Sequence, residues 1–216
     1  MSSTSVSDHD RQCALAYLDD IIVYSPDFDT HLSDLTKVLG IMASNHLWAR
    51  RAKVRAGRSV PFLGHVLSDK GVSTDPDKTK SIQDWPVPVD VKGIRSFLGI
   101  VSYYRRFIPR FATIAAPINH LLKKDVPFVW SSECQQAFEL LKSRLLTAPV
   151  LVLPDPSRPF TIATDASKVA IGGVLLQDHG LGLQPVEYIS RTMIPAERNY
   201  PVGQQELLAI VYCCHA

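Results

Sequence analysis

The spacing of apolar residues changes twice along this 216-residue chain, and those changes limit the fold more than any single motif. Up to about residue 72 the apolar runs are short and rich in β-branched and aromatic residues: "CALAY", "IIVYS" and "VPFLGHVLS". Such runs favour strands. From "TDPDKTKSIQDWPVP" onward apolar residues recur every three or four positions, the helical period. After "VLVLPDP" the short runs return, as "PFTIATDAS", "IGGVLLQ" and "QPVEYISRT", and a helical "GQQELLAIVYCCHA" follows. These changes divide the chain into three blocks. The block boundaries fall near residues 73 and 150.

Within the blocks the pattern is specific. "CALAY" and "IIVYS" predict a hairpin with "LDD" at its tip. Leu32, Leu35, Leu39 and Met42 recur at helical spacing behind a cap at Asp29 or Thr30. "VPFLGHVLS" predicts one strand broken by Gly64. Ile94, Phe97, Leu98, Val101 and Tyr104 share one helical face, with Asp90 capping and Pro109 stopping. "FATIAAPINHLLKK" gives a second helix. "SSECQQAFELLKSRLLTAP" gives a third, with Ser132 and Gln135 at capping-box spacing.

Composition excludes several classes. A hydrophobic fraction of 46% with 20% charged residues is that of a globular chain. No apolar run approaches the ~20 residues a membrane helix needs. The opening "MSSTSVSDHDRQ" is polar and is no signal peptide. Cys13, Cys134, Cys213 and Cys214 form no zinc-like spacing, which fits a reduced intracellular compartment, cytoplasmic or nuclear. The net charge of +2 hides an uneven distribution: residues 73–150 hold eleven Lys and Arg against seven Asp and Glu. That basic block is where a polyanion partner is expected.

Asp19 and Asp20 stand side by side between apolar runs. At mid-strand one of them would enter the core, since side chains alternate faces. At a hairpin tip both reach solvent and could hold a divalent cation with a further carboxylate. Turn preference alone also explains an Asp pair, so the dipeptide by itself leaves both readings open.

The ordered series resolves the choice. "YLDDIIVYS", a helix near "HLSDL", then "FLGHVLS", "STDPDKTKSIQDWPVP" and "IRSFLGIVSYYRRFIPRFATIAAPINHLLKK" resemble the reverse transcriptase of LTR retrotransposons, most closely the Ty3/gypsy class. The resemblance implies an α+β architecture: a polymerase palm hairpin plus helical thumb, followed by a partial ribonuclease-H-like α/β sheet. It implies the C-terminal part of the palm over 1–72, a thumb over 73–150 and the N-terminal half of a ribonuclease H domain over 151–216. Asp19 and Asp20 would belong to the polymerase metal cluster, with Tyr17 beside primer and template. Gly64 and His65 would lie in the primer grip. Arg95, Tyr104, Arg105 and Arg106 would follow the duplex from the thumb. Asp165 in "ATDAS" and Glu206 in "GQQELLAIV" would be the first members of the ribonuclease H acidic set.

The implied cofactor is magnesium, in pairs, and the implied partners are an RNA/DNA template–primer duplex and the remainder of a polyprotein. "KVRAG" departs from the family, where a "K-C-x-F" stretch is expected. The upstream palm Asp and the later ribonuclease H carboxylates are also missing, so the chain is expected to be catalytically incomplete by itself. The alternatives are a non-catalytic nucleic-acid-binding remnant and a decayed open reading frame.

Overall fold

A computed structural model describes residues 13–216. The polar stretch with Asp8 and Asp10, at the start of the expected palm segment, lies outside the described residues. The chain divides into two compact units, one ending at Leu63 and the other running Gly64–Ala216.

The first unit begins with the expected hairpin, β1 (Ala14–Tyr17) and β2 (Asp20–Val23). The strands are antiparallel, with Tyr17 opposite Asp20. Leu18 and Asp19 therefore form a two-residue turn, and Asp20 opens β2. Leu18 has a left-handed backbone (φ 51°), a conformation that costs a Cβ-bearing residue about 1–2 kcal/mol. Helix α1 spans Phe28–Ser44. Its cap is Asp27, not Asp29 or Thr30: the Asp27 carboxylate accepts from the Thr30 amide at 2.9 Å. Asp27 has the extended backbone a cap requires, whereas Asp29 and Thr30 are already helical. Leu35 and Met42 are half-buried, while Leu32 and Leu39 face solvent. Strand β3 (Ser59–Phe62) follows.

"VPFLGHVLS" is not one strand. The chain turns at Leu63 (φ 48°) and Gly64 (φ 71°), and β4 (His65–Ser68) starts afresh. Two successive left-handed residues reverse a chain, and glycine makes the second inexpensive.

In the second unit β4 pairs antiparallel with β5 (Gly71–Thr74). Helices α2 (Pro76–Gln83), α3 (Val91–Tyr103), α4 (Phe111–His120) and α5 (Ser132–Leu146) follow. Asp90 caps α3 as expected, its carboxylate accepting from the Gly93 amide at 2.6 Å. The helix ends at Tyr103, ahead of Pro109, and a 3-10 turn over Arg105–Phe107 follows. Ser131, not Ser132, caps α5, accepting from the Cys134 amide at 3.3 Å.

The predicted face of α3 is buried throughout: Ile94, Phe97, Leu98, Val101 and Tyr104. It packs with Phe107, Ile118, Phe138, Leu141 and Leu145 into the main core. Phe97 and Phe138 lie 4.6 Å apart, centroid to centroid. Leu151 belongs to the same core, and its backbone bonds to Val72 in both directions at 2.7 and 2.8 Å. The positions expected to be boundaries, 73 and 150, are thus stitched together inside one unit. Gly71 makes this possible: a Cβ there would collide with the Leu151 carbonyl, and its φ is +124°.

Strands β6 (Phe160–Ala166), β7 (Ala170–Asp178) and β8 (Leu183–Thr192) form an antiparallel meander. After the short α6 (Pro195–Arg198), helix α7 (Val202–His215) packs on β6 and β7. Register assigns the faces. Asp165, Gly172 and Ser190 align across the three strands and share one face. Helix α4 lies on that face, where the Ala112 amide donates to the Ser190 hydroxyl at 3.0 Å. Gly173 points to the other face, toward the Cys213 sulfur of α7.

Phe97 is fully buried, so Phe97→Ala is expected to cost about 3–5 kcal/mol, read as a fall in the urea midpoint without a change in slope.

Candidate functional site

The sequence-predicted residues separate into three places. The first is the β1–β2 tip, where Tyr17, Asp19 and Asp20 are all exposed. Their oxygens are hard donors on a tight turn, the ligand type magnesium takes.

The second is the corner where β4 meets α3. The Tyr104 hydroxyl donates to the Gly64 carbonyl at 2.7 Å. Burial, with the charges of Asp75 and Tyr103 adding to it, pushes the Tyr104 phenol up to about 12, so it remains a donor at any physiological pH. Tyr104 is only 2% exposed, which leaves no ring face for a base. Its helical spacing from Phe97 explains this, and the exposed aromatic of the pair is Tyr103, at 52%. Tyr103 stacks on His65 at 5.2 Å with an interplanar angle of 9°. His65 also meets Tyr104 edge-on and tilts against Phe107. Burial, seconded by the Arg106 charge and opposed by Asp75, holds the His65 imidazole below its usual value. Its Nδ1 is buried with no hydrogen-bond partner.

The basic residues around this corner are not equivalent. Arg95 lies exposed on α3. Arg105 donates to the Ser190 carbonyl and stands 5.7 Å over the Phe111 ring. Arg106 pairs with Glu187 at 3.1 Å, both partly exposed. Arg105 and Arg106 therefore tie the helices to β8, and exposed pairs of this kind contribute about 0–1 kcal/mol.

The third place is the α4 face of the sheet. Asp165 sits one residue from the end of β6 and takes Arg110 as its partner: Nε and Nη2 both approach Oδ2 at 2.6 Å. The Asp165 hydrogen bond, and its charge, hold Arg110 protonated more firmly than usual. Both line a cleft of about 200 Å³ with Thr113, Gly172, Tyr188 and Ser190. Arg110 carries a left-handed backbone (φ 57°) immediately before α4. That strain, about 1–2 kcal/mol, exceeds what an exposed pair returns. Docking of α4 therefore fixes Arg110, and the ion pair follows. No sequence signal marks Arg110 beyond a basic residue after the Pro109 stop.

Glu206 is half-buried on α7, the helix that covers the opposite face. Among the described residues no three His, Cys, Asp or Glu side chains gather closely enough to hold a metal ion. The carboxylates suit magnesium by type, but Asp165 Oδ2 is committed to a guanidinium.

The described residues form a mixed α/β protein. Residues 130–216 match the RNase H-like domain found in reverse transcriptase, a region that opens ahead of the expected boundary at 151. The chain is 43% identical over 198 residues to the retrovirus-related Pol polyprotein from transposon 412 of Drosophila melanogaster, covering 91% of this chain and 16% of that protein. It is 37% identical over 209 residues to the corresponding polyprotein from transposon gypsy, covering 91% and 20%. The Tf2-3 transposon polyprotein of Schizosaccharomyces pombe is 37% identical over 199 residues, with 91% and 15% covered. Among solved structures, a foamy viral protease–reverse transcriptase in complex with double-stranded DNA superposes with a TM-score of 0.81 at 24% identity, over 91% of this chain and 35% of that one. The same viral protein in complex with an RNA/DNA hybrid gives 0.75 at 23%, over 92% and 27%.

The chain is a fragment of a retrotransposon Pol polyprotein with a reverse-transcriptase RNase H-like domain, and it spans about a fifth or less of the length of the transposon 412, gypsy and Tf2-3 polyproteins. Among the described residues no helix is long and apolar enough to cross a membrane.

The depressed His65 value gives a pH test. The unfolded chain binds a proton below about pH 6.5 and the folded imidazole resists it, so stability present above that pH is lost as pH falls. The melting temperature is expected to drop between pH 7.5 and 5.5. His65→Phe, which keeps the stacked ring, should shrink that drop; an unchanged drop would contradict the assignment.

Proposed function

We propose that this polypeptide is the part of a retrotransposon reverse transcriptase that carries the C-terminal palm over 1–72, the thumb over 73–150 and the start of ribonuclease H over 151–216. The carrying observation is 43% identity to a Pol polyprotein across 91% of the chain. The partner class is an RNA/DNA or DNA duplex. The foamy viral proteins of similar fold were captured with double-stranded DNA and with an RNA/DNA hybrid, which supports this reading.

Asp19 and Asp20 are assigned to the polymerase metal set, and Asp165 and Glu206 to that of ribonuclease H. Bound magnesium would neutralise the charge that develops on phosphate oxygens during phosphoryl transfer. In this reading Tyr17 lies beside primer and template, and Gly64 and His65 belong to the primer grip. Arg95 is the thumb residue best placed to meet a phosphate, because Arg105 and Arg106 are engaged with β8. Tyr104 serves by buttressing Gly64, and Tyr103 offers the exposed ring.

A second reading, a duplex-binding remnant without catalysis, is favoured by the scattered carboxylates of the described residues. Two assays separate the readings. Fluorescence anisotropy on a labelled RNA/DNA hybrid should show affinity that falls steeply with salt, and Arg95→Ala should lower the log–log slope by about one. Salt-independent binding, or none, would contradict both readings. Magnesium-dependent primer extension above an Asp19→Ala control would sink the remnant and overturn the expectation that the chain is catalytically incomplete by itself.

A further inference from the structure

Positive charge in the first unit is concentrated where no acidic residue answers it. Between Asp34 and Asp69 the sequence holds no Asp or Glu, while Lys37, Arg50, Arg51, Lys53, Arg55 and Arg58 all fall there. Those six are among 23 Lys and Arg, against 21 Asp and Glu, in the whole chain, so everything outside this stretch is net acidic. The five cations of 50–58 are all exposed. Among the described residues none of them pairs with a carboxylate. "KVRAG", the stretch that departs from the family pattern, lies inside this run. Only Arg51–Lys53 is regular, as one 3-10 turn, and the backbone is extended at Arg50 and Val54 on either side. Two large apolar side chains stand just before the run: Leu47 is 56% exposed and Trp48 80%. Trp85 and Trp130, by contrast, pack against the main core of the second unit.

We propose that residues 47–58 are a binding site for single-stranded nucleic acid, with Trp48 stacking on a base and the cations of 50–58 meeting the phosphates. This site is additional to the duplex contact assigned to α3. A row of cations without acidic partners fits a polyanion, whose condensed counterions are released on contact. The exposed indole selects among polyanions. In a duplex the bases cover one another's faces, whereas an unpaired base offers its face to an aromatic ring, and such stacking tolerates any sequence. An anionic membrane surface is the competing polyanion. It is held by a helix with one broad apolar face, and a three-residue turn presents none.

The test uses the full 216-residue chain and an oligouridine of about 12 nucleotides, end-labelled for anisotropy and unlabelled for tryptophan emission. Binding should quench the emission. Trp48→Ala should abolish that quench and weaken binding about tenfold. Arg51→Gln, Lys53→Gln and Arg55→Gln together should lower the log–log salt slope by about two. Unchanged affinity and slope in both variants would place the binding elsewhere and overturn the proposal. Weakening by the triple variant but not by Trp48→Ala would leave a bare phosphate contact and overturn the single-strand assignment. Binding to phosphatidylserine/phosphatidylcholine vesicles, with none to the oligonucleotide, would overturn it in favour of a membrane surface. Should the variants fail to fold, the parent chain answers. An abasic oligonucleotide of the same length should bind it about tenfold more weakly than oligouridine, and equal affinity would overturn the proposal.

Discussion

The second unit depends on the seating of α4 against β8, and Ser190 is the node. It is almost wholly buried. Its hydroxyl accepts from the first turn of α4, and its carbonyl accepts from Arg105 just before that helix. A three-stranded meander is marginal until its faces are covered. Here α7 covers one face and α4 the other. The same contact fixes where Arg110 emerges, and so decides what Asp165 meets. Helical core, sheet and acidic residue are held by one local arrangement.

Much of the architecture was legible because period and capping chemistry are local. The five residues predicted to share a face of α3 are all buried, and Asp90 caps that helix. The three strands and final helix after residue 150 lie where the short runs and the helical stretch predicted them. Misses came where two local signals competed. Asp27, Asp29 and Thr30 are all acceptable caps by type, and only the extended backbone at Asp27 decides among them. The break expected at Gly64 of "VPFLGHVLS" is there, but it is a two-residue turn that also takes Leu63 left-handed, a conformation leucine rarely adopts. The stitch between Val72 and Leu151 spans most of the unit and leaves no trace in a window of a dozen residues.

The candidate site was legible by residue type and order, less so by partner. Asp19, Asp20, Asp165 and Glu206 were singled out because carboxylates recur at fixed places in an ordered series. Tyr104 shows the limit. Its type suggested stacking on a base, whereas its position on the apolar face of α3 dictated burial. Arg110 was invisible, since its role follows from a left-handed turn and a register 55 positions away. Opposite charges far apart in sequence meet only through the fold.

The central claim is that the helices and the sheet of the second unit open together because α4 is seated on Ser190. Native-state hydrogen exchange on the amides of α4 and β8 tests it most directly. The account predicts one common opening free energy for both, lowered equally by Ser190→Ala. Exchange of the β6–β8 amides at low cost, with α3–α5 still protected, would contradict it.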